Sequence, residues 1–144
     1  MNIDVQGITA KGDKPLTKAD VEHLLDEVSS SDKLNLSGRN MAGIDLAKFR
    51  LTGANLSLAN LSGGSFSGAN FSGANLRSVN LSGAYLFEAH LSGANLSGAD
   101  LSGANLSEAN LYKADLMRTI VTEAQLKKAK SLDLATMPDG SKHR

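Results

Sequence analysis

From Leu36 to Val121 an apolar residue recurs at every fifth position without a slip. The commonest unit over residues 34–121 is Ala-Asn-Leu-Ser-Gly, as in Ala94-Asn95-Leu96-Ser97-Gly98. A period of five matches neither the 3.6 of a helix nor the 2 of a continuous strand. Let the central apolar position be i. Ala at i−2 lies on the same side of an extended segment as i, while Asn or Asp at i−1 and Ser at i+1 face away. A straight strand would put the next Leu on the opposite face, so keeping every Leu inside requires a turn in each unit. Gly, common at i+2, suits that turn. The chain then coils on itself, and successive coils pair their backbones at strand spacing. The phase alone therefore predicts an all-β solenoid.

Phase does not fix the number of sides per coil. Ala69-Asn70-Phe71-Ser72-Gly73, Ala94-Asn95-Leu96-Ser97-Gly98 and Ala104-Asn105-Leu106-Ser107-Glu108 resemble the units of the pentapeptide repeat family. That resemblance implies a right-handed quadrilateral β-helix with four units per coil. Residues 34–121 would then make about four to five coils, a rod roughly 20 Å tall at about 4.8 Å per coil. A 20-residue offset follows, with four internal ladders. Leu36, Leu56, Leu76, Leu96 and Leu116 form the first; Met41, Leu61, Leu81, Leu101 and Val121 the second. Leu46, Phe66, Leu86 and Leu106 form the third; Leu51, Phe71, Leu91 and Leu111 the fourth. Each buried Leu should contribute about 1.5–3 kcal/mol. Gly64 precedes Phe66 at i−2 and reads as volume compensation for the ring. The first coil carries Leu34, Arg39, Ile44 and Phe49 at i−2, as expected of an end coil packed on a cap. Arg39 is expected to reach solvent or an acid of the N-terminal segment, because it cannot be buried unpaired.

The flanks change character. In the N-terminal segment, 1–33, Ile3-Asp4-Val5-Gln6 alternates weakly and suggests a short edge strand. Thr17-Lys18-Ala19-Asp20 has the form of a capping box, and Val21, Leu24, Leu25 and Val28 follow at helical spacing, predicting a helix over about 18–29. Residues 122–144 are expected to hold a second capping helix, over about 123–130, opened by Thr122-Glu123-Ala124-Gln125, and then a tail frayed from Ser141. Ala124-Gln125-Leu126 also fits the five-residue phase. Helices at both ends are the expected cover for strand edges that would otherwise invite polymerisation.

Composition excludes several classes. There is no Cys, hence no disulfide framework and no thiolate chemistry. Met1-Asn2-Ile3-Asp4 lacks a basic n-region and an apolar run, so a cytoplasmic location without a signal peptide is expected. No stretch approaches the roughly 20 apolar residues that span a bilayer, so no membrane partner is expected. With 15 acidic and 15 basic residues the net charge is zero, which argues against a nucleic-acid partner and against a polyanionic mimic.

No residue pattern points to catalysis, and no enzyme activity, cofactor or metal is expected. His23, His90 and His143 have no local ligand partner, and the glycines recur at corners where a phosphate loop would need them to open a helix. Asn55-Leu56-Ser57 and its repeats are formal glycosylation acceptors that the repeat generates automatically. The hydroxyl ladder of Ser62, Ser82 and Ser102 could organise water, but such faces favour Thr, which is scarce here. The candidate partner patch is Tyr85, Phe87, His90 and Tyr112: Tyr85 and Phe87 flank inward Leu86, His90 lies on the adjacent side, and Tyr112 is one coil further along it.

The leading expectation is a non-catalytic structural or protein-interaction module, monomer or weak dimer, with an unidentified protein partner. The resemblance also implies an alternative: a DNA-mimicking inhibitor or protector of DNA gyrase or topoisomerase. That role relies on an acidic rod, and Arg39, Lys48, Arg50, Arg77, Lys113 and Arg118 offset the repeat's acids here.

Overall fold

The structure, a computed structural model, describes residues 14–144. The expected strand at Ile3–Gln6 lies outside the described residues. The body is a stack of parallel bridges, each joining a residue to the one 20 positions on: Asn35 to Asn55, Asn55 to Asn75, Asn75 to Asn95 and Asn95 to Asp115. The other three sides repeat this offset, as in Asn60 to Asn80, Ser65 to Tyr85 and Asn70 to His90. Twenty residues hold four five-residue units, so each coil has four sides: a quadrilateral β-helix.

The hydrogen bonds of one unit explain its composition. In Ala94–Gly98 the Ala94 N–H donates to Leu91 O (3.1 Å) and closes the corner turn. Asn95 N–H donates to Ala74 O in the preceding coil (3.0 Å). Leu96 N–H donates to Asp115 O and Gly98 N–H to Met117 O in the following coil, both at 2.8 Å. The Ser97 N–H donates to Asn95 Oδ1 at 3.0 Å and its hydroxyl to the same oxygen at 2.8 Å. Every N–H of the unit is thus paired, as a buried backbone requires. The i−1 Asn is an Asx-turn acceptor that builds the corner, as well as an outward side chain. The corner needs a left-handed residue at i+2. Gly98 supplies φ 71°, and where the sequence has no Gly the backbone is the same: Lys48, Glu88 and Glu108 sit at φ 64°, 59° and 60°.

The interior is dry and aliphatic. Leu36, Leu56, Leu76, Leu96 and Leu116 are buried, as are the inward residues of the other three sides through Leu111; Val121 is half-buried. Phe66 and Phe71 meet edge to face, with centroids 5.6 Å apart. A methyl group placed on Gly64 would lie 2.7 Å from Phe66 Cε2 and 2.8 Å from Ile44 O, so the missing Ala side chain makes room for the ring and for the close approach of the preceding coil.

At the N-terminal end, α1 (Lys18–Glu27) starts at a capping box in which Asp20 N–H donates to Thr17 Oγ1 (3.1 Å) and Thr17 N–H to Asp20 Oδ2 (2.9 Å). It is two residues shorter than the expected 18–29, ending where Val28 turns extended. Leu16, Val21 and Leu24 are buried in the same core as the first coil. Leu16 N–H donates to Asn40 O, pairing with that coil's edge (2.9 Å). Arg39 is half-buried.

At the other end the solenoid does not stop at Val121. Helix α2 (Glu123–Lys127) is shorter than the expected 123–130 and is an excursion within the coil. Leu126 stays buried, one coil on from Leu106. Bridging resumes as Asn110 to Ser131 and Asp115 to Thr136, an offset of 21 that marks one inserted residue. The tail expected to fray folds back as an antiparallel return. Thr136 pairs with Lys142, Leu134 N–H donates to His143 O (3.0 Å), and His143 N–H donates to Ala135 O (2.8 Å). The return covers an edge that would otherwise stand open.

Candidate functional site

The corner between the third and fourth sides departs furthest from the repeat. Tyr85 occupies an i−1 position between Ser65 and Asn105, and His90 one between Asn70 and Asn110. Neither side chain carries the carboxamide or carboxylate oxygen that accepts the corner N–H in most units. Phe87 stands where Ser is usual, and Glu88 holds a left-handed position at φ 59° that Gly would occupy without strain. Four outward positions in six residues therefore abandon the chemistry of the unit. Inward Leu86 and Ala89 keep it and are buried.

Tyr85 is 56% exposed, Phe87 41% and Tyr112 40%, and His90 is exposed. The structure places Tyr112 at the further corner of the fourth side, apart from the Tyr85–His90 stretch. Its unit keeps the corner bond, Tyr112 N–H to Asn110 Oδ1 at 3.0 Å, and Lys113 Nζ lies 5.3 Å from its ring centre. Among the described residues no ring contact joins Tyr85, Phe87 and Tyr112. Exposed apolar side chains also occur at Leu58, Ile120 and Leu134, so exposure alone does not single out the patch.

His90 lines a cavity of ≈ 270 Å³ with Gly68, Glu88, Glu108, Asn110 and Lys130. Glu88 and Glu108 were not among the expected site residues. The signal for them was their 20-residue separation, which stacks both at one corner, where Glu88 N–H donates to Ser107 O and Glu108 N–H to Lys128 O. Among the described residues Glu88, Glu108 and Lys130 form no ion pair. Charge at this corner is mixed, since the same position holds Lys128 in the coil after Glu108 and Lys48 two coils before Glu88.

Two carboxyls are perturbed, Asp100 at a corner of the coil and Asp139 in the turn of the C-terminal return. Hydrogen bonds from the Ser102 hydroxyl and N–H hold Asp100 below its ordinary 3.8. Ser141 does the same to Asp139. No group of three or more His, Cys, Asp or Glu that could hold a metal occurs among the described residues, and no helix there is long and apolar enough to cross a membrane.

A four-sided coil of five-residue units with these corners defines a class, and the chain belongs to the pentapeptide repeat family. The family model for pentapeptide repeats matches in eight copies, over residues 34–68, 54–93, 84–122 and 94–130. Among solved structures the chain is similar to Rfr23, a pentapeptide repeat protein of the cyanobacterium Cyanothece 51142, with 30% identity over 69% of this chain and 65% of that one, and a TM-score of 0.62. It is also similar to HetL of Nostoc sp. strain PCC 7120, a pentapeptide repeat protein involved in heterocyst differentiation regulation. There the identity is 35% over 76% of this chain and 66% of that one, with a TM-score of 0.35. A third, alr5209 from the same Nostoc strain, is 30% identical over 71% and 84%, with a TM-score of 0.38. The chain spans just under two thirds of the length of Rfr23 and of HetL. No curated protein matches the chain.

Proposed function

We propose that this chain is a non-catalytic protein-interaction module whose docking face is the corner built by Tyr85, Phe87, Glu88 and His90, with Tyr112 at its margin. The observation that carries the reading is the loss of the corner acceptor in two consecutive units, at Tyr85 and His90, with aromatic and acidic replacements between them. None of these side chains contributes to the buried ladders. A departure that brings no packing is expected where a sequence answers to something other than its fold. Exposed aromatic rings beside polar groups suit the anchor positions of protein interfaces.

The test is site-specific photo-crosslinking in the source organism, with the probe at position 85 or, as control, at Ser62 on another side. A discrete adduct from position 85 that disappears in Phe87→Ser/His90→Asn supports the reading. Equal crosslinking from both positions refutes it. The gyrase-directed alternative has less support, because Lys48 and Lys128 share the corner with Glu88 and Glu108, and a duplex mimic needs a continuous run of negative charge. Inhibition of gyrase supercoiling by the purified chain at stoichiometric amounts would reverse that preference.

A further inference from the structure

The excursion at α2 leaves a second feature that belongs to neither the aromatic corner nor the repeat. In the regular stack, the N–H groups at i+2 and i donate to carbonyls 19 residues on: Gly83 to Ser102 O (2.8 Å) and Leu86 to Asn105 O (2.9 Å). One coil later the donors are Gly103 and Leu106, and the matching carbonyls would be those of Thr122 and Gln125. Helix α2 has taken both. Thr122 O accepts from Leu126 N–H (3.1 Å) and Gln125 O from Lys128 N–H (3.2 Å).

The fold repairs one half of this gap. Gln125 Nε2 donates to Ala104 O (2.9 Å) and Leu101 O (2.7 Å), standing in for the backbone donor that the helix removed. No side chain supplies the missing acceptors. Among the described residues, neither the Gly103 nor the Leu106 N–H has a hydrogen-bond partner. Leu106 is 1% exposed, so its unpaired donor is buried. A buried donor of this kind costs about 1–3 kcal/mol unless something outside the chain accepts from it. Both residues line a cavity of ≈ 310 Å³ between the coil and α2, shared with Ala104, Asn105, Ser107, Ala124, Gln125 and Lys128.

We infer that this cavity is a binding site for a carboxylate. The unpaired groups at its wall can all donate: the Leu106 and Gly103 N–H groups, the Lys128 ammonium, the Ser107 hydroxyl and the Asn105 carboxamide N–H groups. Gln125 Nε2 is already committed to the two carbonyls. The acceptors displaced by α2 were planar carbonyl oxygens, and a carboxylate oxygen has the same lone-pair geometry with added charge, which makes its hydrogen bonds shorter and stronger. The carboxylate comes from a small organic acid or from an acidic side chain of a partner.

The test is an amide proton–nitrogen titration of the full chain with sodium acetate, against sodium chloride at the same pH and ionic strength. Saturable shifts of the Leu106 and Gly103 amides with acetate and not with chloride are expected. Lys128→Ala should weaken the response about tenfold, the loss of one charge-assisted contact, while Lys113→Ala, on another side of the coil, leaves it unchanged. An end-blocked peptide with one Asp, run in parallel, separates the sources: tighter binding than acetate assigns the site to a partner's side chain, and weaker binding to a free acid. Equal shifts with chloride, no saturation with either ligand, or a response undiminished in Lys128→Ala would overturn the inference and leave water as the acceptor.

Discussion

Returning the aromatic corner to the repeat's own sequence should make the protein more stable. The variant is Tyr85→Asn/Phe87→Ser/Glu88→Gly/His90→Asn. Asn at 85 and 90 each restores an acceptor for a corner N–H, of the kind seen from Ser82 to Asn80 Oδ1 and from Ser97 to Asn95 Oδ1, both 3.0 Å. Ser at 87 adds the hydroxyl bond found from Ser97 to Asn95 Oδ1 at 2.8 Å. These exposed bonds replace bonds to water, so each contributes about 0.5–1 kcal/mol. Gly at 88 relieves the left-handed backbone at φ 59°, a gain of about 1–2 kcal/mol that the extra unfolded-state freedom of Gly cuts roughly in half. The four outward side chains removed take no ladder contact with them. The sum is about 2–4 kcal/mol, or roughly 4–16 °C in Tm for a chain of this size. Thermal and urea unfolding followed by circular dichroism measures both quantities. An unchanged or lowered Tm would mean that Tyr85, Phe87 or His90 supports the fold, and the docking reading would lose its basis.

Three further outcomes are expected. Gly64→Ala should cost about 1–3 kcal/mol by driving a methyl against the Phe66 ring and Ile44 O, Phe66→Leu about 1 kcal/mol, and the double variant less than their sum, because the smaller side chain removes the ring's part of the clash and leaves that with Ile44 O; additive urea-unfolding energies would count against volume compensation. Gln125→Glu keeps the acceptor for Thr122 N–H (2.8 Å) but removes the donor to Leu101 O and Ala104 O, so it should destabilise by about 1–3 kcal/mol despite Glu being a usual capping-box residue; a neutral effect would show that those carbonyls have another donor. Asp100 is held below 3.8 when folded, so its contribution is present above that value and is lost as pH falls through the lowered one; Asp100→Asn, which keeps the acceptor without the proton, should flatten the fall of the unfolding midpoint on the acid side of 3.8, and a slope equal to the parent's would contradict the assignment.

The quadrilateral coil was legible because its cause is written at one residue in five. An uninterrupted Leu period forces a turn per unit, and the family resemblance supplies the number of sides. What was not legible depended on bonds that cross that period. The Asn at i−1 reads as an outward polar residue, and only the corner geometry shows its oxygen accepting from the N–H two residues on, as Asn75 does for Arg77 at 3.1 Å. The coil beyond Val121 was hidden for a different reason. Leu126 keeps the phase, but the residue inserted at α2 puts the next inward side chain at Leu132, six positions on. The cavity at Glu88 and Glu108 was missed because i+2 reads as a glycine position, and the 20-residue stacking of its exceptions becomes evident only once the coil is closed.

Because the regular unit leaves no N–H unpaired, the repeat has a built-in standard against which departures can be weighed. Leu58 replaces a corner Gly, yet Asn55 still accepts from Ser57 N–H at 3.0 Å, so one outward side chain changes and the corner chemistry stays. Tyr112 is the same case, with Asn110 as acceptor. Arg50 and Ser65 lose the acceptor in single units, the first in the end coil and the second beside Gly64 and Phe66, where the interior itself is irregular. At Tyr85 and His90 the acceptor is lost twice in succession over a regular interior, since Ala84, Leu86, Ala89 and Leu91 are all buried in the ordinary ladders. A defect in the core or at an end cannot account for that pair. A demand from outside the rod can, and it is why the Tyr85–His90 corner, ahead of the more exposed Leu58, is where a partner should be sought.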